Sequence, residues 1–183
     1  MTNTLLRSLA ALLCVLSVCA DVTPAADFDV TQVNGRWYLV GFATNAPWFV
    51  NNKAGMKTGI TVMVSTAEAD LQVAHTHLNA DGSCWRMSHL ASKTATPGKF
   101  FFHSEAWGNN NDMVFTDVQY AEHAIVYNVK TKDGVSEVLN KLFSRTPEVG
   151  AAVQQRFQQF SLDQGVLAEN IVMLPPNGEC PEV

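Results

Sequence analysis

The chain is 183 residues long, with 47% hydrophobic and 16% charged residues, 12 basic against 17 acidic side chains and a formal charge of −5. That length suits one domain, or at most two, and the apolar content is ordinary for a globular protein. The acidic balance argues against nucleic acid and anionic membrane surfaces as partners.

The first twenty residues stand apart. Arg7 is their only charge, Leu5 to Cys19 is almost wholly apolar, and Ser17-Val18-Cys19-Ala20 offers small residues for cleavage. The run is too short to span a bilayer comfortably, so residues 1–20 read as a secretory signal and 21–183 as the mature domain, with a cut after Ala26 as the alternative. Loss of Arg7 leaves 11 basic and 17 acidic residues, a net −6, which fits a secreted, extracellular protein. No later stretch is long and apolar enough to cross a membrane. Cys14 and Cys19 leave with the signal. Cys84 and Cys180 remain, and an even pair in an oxidising compartment is expected to bridge. There is no Asn-x-Ser/Thr site.

After a polar lead, Asp21 to Asp29, the first strand pattern opens at Gly35 and runs over Arg36–Ala43. Trp37, Leu39 and Gly41 fall on one face and Tyr38, Val40 and Phe42 on the other. Seven more strand segments follow at Thr58–Ser65, Leu71–Leu78, Cys84–Leu90, Lys99–His103, Met113–Val118, Ala124–Val129 and Val138–Arg145. The turn signals between them include Asn79-Ala80-Asp81-Gly82, Thr96-Pro97-Gly98, Gly108 to Asn111 and Lys132-Asp133-Gly134. Short links mean antiparallel pairing, so the expected fold is all-β, an eight-stranded up-and-down barrel or a sandwich. One connection is long: Asn45 to Gly55, with Pro47, Trp48 and Phe49. It is either a lid over a barrel mouth or a loop that packs its aromatics on the rim. A helix is expected next, capped by Thr146 with Pro147 at its first position. Its face is Val149, Val153, Phe157 and Phe160, and it ends at Gly165. Ile171 to Leu174 adds a short strand.

If Trp37 points inward, alternation gives the inner set. Strand two contributes Gly59, Thr61 and Met63, strand three Ala74, Thr76 and Leu78, and strand four Trp85, Met87 and His89. Phe100, Phe102, Met113, Phe115, Ala124, Val126, Leu139, Lys141 and Phe143 complete it. This lining suits a small-molecule site, apolar with sparse polar anchors, yet the same side chains could simply fill the interior. Lys141 either meets a ligand carboxylate or snorkels to the rim, and the rim is favoured. Arg145 is placed to stack on Trp37 and close the floor. His75-x-His77 is half of a metal site at best, with both rings expected to face water and no third ligand near, so no metal and no cofactor are expected.

These residues resemble the lipocalins. Gly35-Arg36-Trp37 looks like the first motif of that family, and Arg145 within Leu142 to Pro147 like the third. Val118 to Ala124 is a degenerate second motif, and Thr116-Asp117 sits two residues too early for it. Cys84 and Cys180 are similar to the family disulfide. The resemblance covers the whole mature chain and implies an eight-stranded barrel with one helix outside. Within the family it is nearest the prostaglandin D synthase branch, then the alpha-1-microglobulin branch. The first implies a nucleophilic thiol on strand two, where this chain has Gly59, and supporting hydroxyls at Thr61 and Thr76, with Leu39 in place of a third. The second implies a free thiol in the first loop, where this chain has Ala46. Threonine is a poor substitute with no activating base evident beside it. The expected function is therefore carriage of a lipophilic molecule (retinoid, fatty acid, bile pigment or steroid) rather than isomerisation. The expected ligand-binding residues are Leu39, Trp48, Thr61, Met63, Thr76, Met87, His89, Phe100, Phe102, Met113, Phe115, Lys141 and Phe143. A cell-surface receptor is admitted as a further partner of such a carrier.

Overall fold

Residues 22–181 are described by a computed structural model. The signal segment expected over residues 1–20 lies outside them. Among the described residues there are nine strands: β1 (Gly35–Ala43), β2 (Gly59–Ser65), β3 (Leu71–Leu78), β4 (Cys84–Lys93), β5 (Lys99–Ser104), β6 (Asn109–Gln119), β7 (His123–Lys132), β8 (Val135–Ser144) and β9 (Ile171–Met173). Every pairing is antiparallel. The order β2 to β8 is sequential, β1 joins β8 to β2 and closes the barrel, and β9 adds outside β1. Closure removes the free edges that an open sheet would expose.

Two bulges adjust the wall. In β1 the register shifts between Leu39 and Gly41. The extra residue resets the alternation, so Phe42 turns inward and Gly41 turns outward, the reverse of a strict period of two. Outward placement of Gly41 has a use. A Cβ there would lie 2.9 Å from the Phe157 ring, so glycine lets the helix sit directly on the strand. A second shift lies in β6, between Phe115 and Asp117.

The sheet extends further than turn propensity suggests. Asn109 to Asn111 were expected in a turn but form the first rungs of β6, opposite Ser104 to Phe102. Their amides satisfy one another, Asn111 Nδ2 donating to Asn109 Oδ1 at 2.7 Å, and the turn itself is made by residues 105–108. Between β7 and β8 the ladder runs to Lys132↔Val135, and the two linking residues, Asp133 and Gly134, both have positive φ (50° and 78°). That is the geometry of a tight hairpin turn.

The helix α2 is Ala151–Asp163, with Gly150 as its N-cap. Thr146 and Pro147 therefore precede it instead of starting it. The chain must first leave the barrel wall, and Thr146 Oγ1 is spent on the Glu148 carbonyl at 2.6 Å. Val153 and Phe157 of α2 are buried against Val40, Ile125 and Leu142 on the outside of β1, β7 and β8. Gly165, at φ +78°, lets the chain reverse after the last turn. Cys84 and Cys180 form the expected disulfide, tying the C-terminal tail to the start of β4.

Candidate functional site

The barrel has one closed end. Trp37 is fully buried there, and its indole N–H donates to the Val33 carbonyl at 2.7 Å. The Arg145 guanidinium lies over the ring, 3.6 Å from its centre, as the sequence suggested. Its nitrogens donate to the carbonyls of Tyr120 (2.9 Å), Arg36 (2.9 Å), Asn34 (3.0 Å) and Gln32 (3.2 Å). Tyr120, in the degenerate second motif, also accepts the Asp29 amide on its hydroxyl at 2.7 Å. Phe28 from the lead segment enters from below, with its ring centre 5.0 Å from that of Phe115 and 6.1 Å from that of Phe100.

This floor takes five of the side chains expected around a ligand. Met63, Phe100, Met113, Phe115 and Phe143 are buried with Trp37 and Val33 in one packed cluster and do not reach the cavity above. Alternation says which face a side chain takes but not its height along the barrel, and the lead segment adds volume at the bottom.

Above the floor the interior is open. Two adjoining lobes of about 650 and about 640 Å³ share Phe42, Met56, His75, Met87, Trp107 and Lys141 in their walls. Leu39, Lys57, Thr61, His77, Asn79 and Trp85 are among those that complete the first, and Trp48, His89, Phe102, Lys130 and Leu139 among those that complete the second. Leu39, Trp48, Thr61, Met87, His89 and Phe102 therefore lie around one space, as the alternation and the loop suggested. β4 and β5 pair only through Ser92↔Phe101 and Lys93↔Phe100. Higher up, side chains bridge the two strands: the His89 ring stacks on Phe102 with centres 3.8 Å apart.

The long loop does both things that were open for it. It contains a short helix, α1 (Pro47–Val50). Phe49 is fully buried on the rim, stacked on Phe42 at 5.2 Å. Trp48 stays partly exposed across the mouth, its N–H donating to Glu137 Oε2 at 3.2 Å and its ring 5.3 Å from the Lys130 ammonium.

Strand β3 has the opposite phase to that expected. Thr61 pairs with His75, and cross-strand partners share a face, so His75 and His77 point inward while Thr76, opposite Ile60, points out. Thr76 still borders the first lobe, and its carbonyl oxygen would lie 3.0 Å from a Cβ on Gly59. The signal was present at the start of the strand, where Leu71 and Val73 are apolar and Gln72 is not, and both apolar residues are buried. The likeness at Thr76 overrode it. One result is that Thr61 has a base beside it, with Oγ1 2.9 Å from His75 Nδ1.

Lys141 also departs from expectation. It lines both lobes and does not reach the rim. What surface it exposes faces the cavity, and burial pushes its ammonium down to about 8. Burial, then the charge of Lys141, brings His89 to about 4. Burial, then the charges of Lys141 and His89, holds His75 well below the usual imidazole range. Both rings are thus neutral at physiological pH, 5.6 Å apart. Among the described residues no cluster of three or more His, Cys, Asp or Glu side chains could hold a metal ion.

Residues 34–178 match the model of the Lipocalin / cytosolic fatty-acid binding protein family. A protein described as a lipocalin from Rhinella marina is 32% identical over 92% of this chain and 91% of its own length. The prostaglandin-H2 D-isomerase of Felis catus is 31% identical over 89% and 85%, and the extracellular fatty acid-binding protein of Coturnix japonica 30% identical over 93% and 92%. Among solved structures, Ex-FABP, described as a siderocalin with dual ligand specificities, superposes with a TM-score of 0.72 over 82% of this chain and 99% of that one, at 24% identity. That likeness supports the fold alone. The closed barrel with its sealed floor, outer helix and disulfide, together with the match over residues 34–178, shows that this chain is a member of the lipocalin family.

Proposed function

We propose that the protein is a secreted carrier that holds a small lipophilic molecule, of the retinoid, fatty acid, bile pigment or steroid class, in the barrel. The observation that carries this is the open space above a packed floor, with lobes of about 650 and about 640 Å³ whose exposed wall is more apolar than polar. A filled barrel would have no such space. Burial of apolar ligand surface is worth about 25 cal/mol per Å², which makes micromolar or tighter affinity attainable. The extracellular fatty acid-binding relatives and the apolar N-terminal run support secretion. A receptor that collects the loaded carrier belongs to the same reading. A retinoid titration should quench tryptophan fluorescence to saturation, and Phe102→Asp should abolish it. Absence of quenching across all four ligand classes would count against the carrier.

One observation favours a second reading, isomerisation of a lipid endoperoxide. Thr61 and His75 form a hydroxyl–imidazole pair that faces the cavity. Gly59 supplies no thiol, so the chemistry would have to run through that hydroxyl. Prostaglandin D formation from the endoperoxide, assayed with added thiol, decides: a rate no greater than the protein-free control removes it.

A further inference from the structure

The charge inside the cup carries a further inference, which rests on the reading of the cavity as a ligand site. Lys141 stands one inward position above Phe143 of the floor cluster, so its ammonium enters the lower part of the space. Facing it are Leu39 and Phe42 from β1, Thr61 from β2, His75 from β3, His89 and Met87 from β4 and Phe102 from β5. From β7 come Val126, its cross-strand partner, and Lys130 nearer the mouth. The acidic side chain on the same face of β8 is Glu137, two inward positions higher. It is taken by Lys130, at 3.8 Å, and by the Trp48 N–H. Among the described residues Lys141 has no carboxylate and no hydrogen-bond partner. A cation held away from water without a counter-ion is costly. His89 Nδ1 is buried without a partner as well. Nearer the mouth Trp48, Met56 and Trp107 supply apolar surface, and the Lys130 charge there is already met by Glu137.

We propose that the cavity binds a lipophilic monoanion head-down, with its carboxylate on Lys141 beside His75 and His89 and its apolar chain rising past Met87 and Phe102 to the tryptophans of the mouth. The missing counter-ion then arrives with the ligand. The neutral imidazoles offer N–H donors and no second charge, so the head group and Lys141 cancel inside the barrel. Uncharged lipids of the same shape, such as alcohols and sterols, leave Lys141 unpaired and bind less well. Because an anion pairs only with the protonated amine, affinity falls as pH rises through about 8. One unit above that value roughly a tenth of the free protein carries the charge, so affinity drops about tenfold there.

The test compares oleate with oleyl alcohol by calorimetry on the full mature chain. Oleate should bind at least about tenfold more tightly near neutral pH, a difference a single desolvated charge pair readily supplies. Its affinity should show the alkaline fall while that of the alcohol stays flat. Lys141→Met should abolish the preference, so that oleate and the alcohol bind within about twofold of each other and neither shows the alkaline fall. Orientation is read with stearates spin-labelled near the carboxylate or near the chain end: the chain-end label should be the more accessible to a water-soluble relaxing agent. Equal affinities, a preference that survives Lys141→Met, or the reverse order of label accessibility each overturn the proposal. If Lys141→Met fails to fold, the wild-type ligand pair, its pH profile and the two labels still decide. Binding of the alcohol with no preference for oleate sinks the head-down anion alone. Binding of neither lipid sinks the carrier reading and this proposal with it.

Discussion

The four tryptophans divide between the two ends of the barrel, and the ends treat them differently. At the floor Trp37 is 0% exposed, hydrogen-bonded and roofed by Arg145. At the mouth Trp48, Trp85 and Trp107 are 39%, 41% and 58% exposed and line the cavity. One side-chain type thus does two jobs. Where directional partners fix the indole on every side it contributes to stability, and where one face is left open it contributes contact area to something else. The sharpest way to break this comparison is truncation. Trp37→Ala should cost about 3–5 kcal/mol, the range for large aromatics removed from a packed core. Trp107→Ala should stay within about 0.5 kcal/mol, as surface changes do, while weakening ligand binding. Urea midpoints measure both, and similar losses at the two ends would end the distinction.

The ends also differ in what restrains them. The floor is held by packing and the four carbonyl contacts of Arg145, whereas Cys84 begins β4 beside Trp85 of the cavity wall and holds the tail across 96 residues. Tail contacts such as Asn177 Nδ2 to the Leu78 carbonyl at 2.9 Å and Arg86 to the Pro181 carbonyl at 2.8 Å are single exposed or half-exposed bonds. Reduction, or the double change Cys84→Ser with Cys180→Ser, should therefore lower stability by about 2–4 kcal/mol. A loss below about 0.5 kcal/mol would mean that the non-covalent tail contacts suffice.

Acid offers a gentler probe of the cavity. The folded-state affinities of His75 and His89 for protons are lowered, so between pH 6.5 and about 4 the unfolded chain binds more protons than the folded one. Stability then falls as pH falls through that window, by at most about 1.4 kcal/mol per pH unit for each proton. His89→Phe, which keeps a ring against Phe102, should flatten part of the slope. Lys141 acts with the same sign higher up: from about 8 to 10.5 stability rises with pH as the amine ceases to be charged in both states. A stability profile that is flat from pH 4 to 6.5 would show that water reaches both rings freely.

Most of the fold was legible in the chain because its signals are local. Alternation, turn residues, the pair of remaining cysteines and the Trp37–Arg145 pairing each depend on short stretches or on one chemical rule. The site was legible only in part. Phe100 and Phe115 were correctly turned inward but wrongly raised to ligand height, since the floor is filled by Phe28, which lies far from them in sequence. Phe42 was turned outward because a bulge cannot be seen in a period of two. Asn109 to Asn111 look like a turn until a ladder to β5 outweighs their propensity. The phase of β3 was written only in Leu71 and Val73 at its start, while the likeness at Thr76 pointed the other way, and the pairing of Thr61 with His75 needed the register between two strands as well.

The smallest effect tests that last point. Thr76 was expected inside by likeness to the isomerase, and register places it outside, opposite Ile60 and Arg86. Thr76→Val keeps the volume and the β-branch, removes only a hydroxyl on the outer face, and leaves the cavity walls as they are. It should shift stability by no more than about 0.5 kcal/mol and leave the retinoid or oleate dissociation constant unchanged. Thr61→Val, by contrast, strips the partner from His75 Nδ1 on the cavity wall and should cost about 1 kcal/mol, because a part-buried ring nitrogen loses its hydrogen bond. If the two changes behaved alike, or Thr76→Val were the one to alter binding, the phase of β3 would be inverted, and the imidazoles would belong to the solvent face instead of to the ligand.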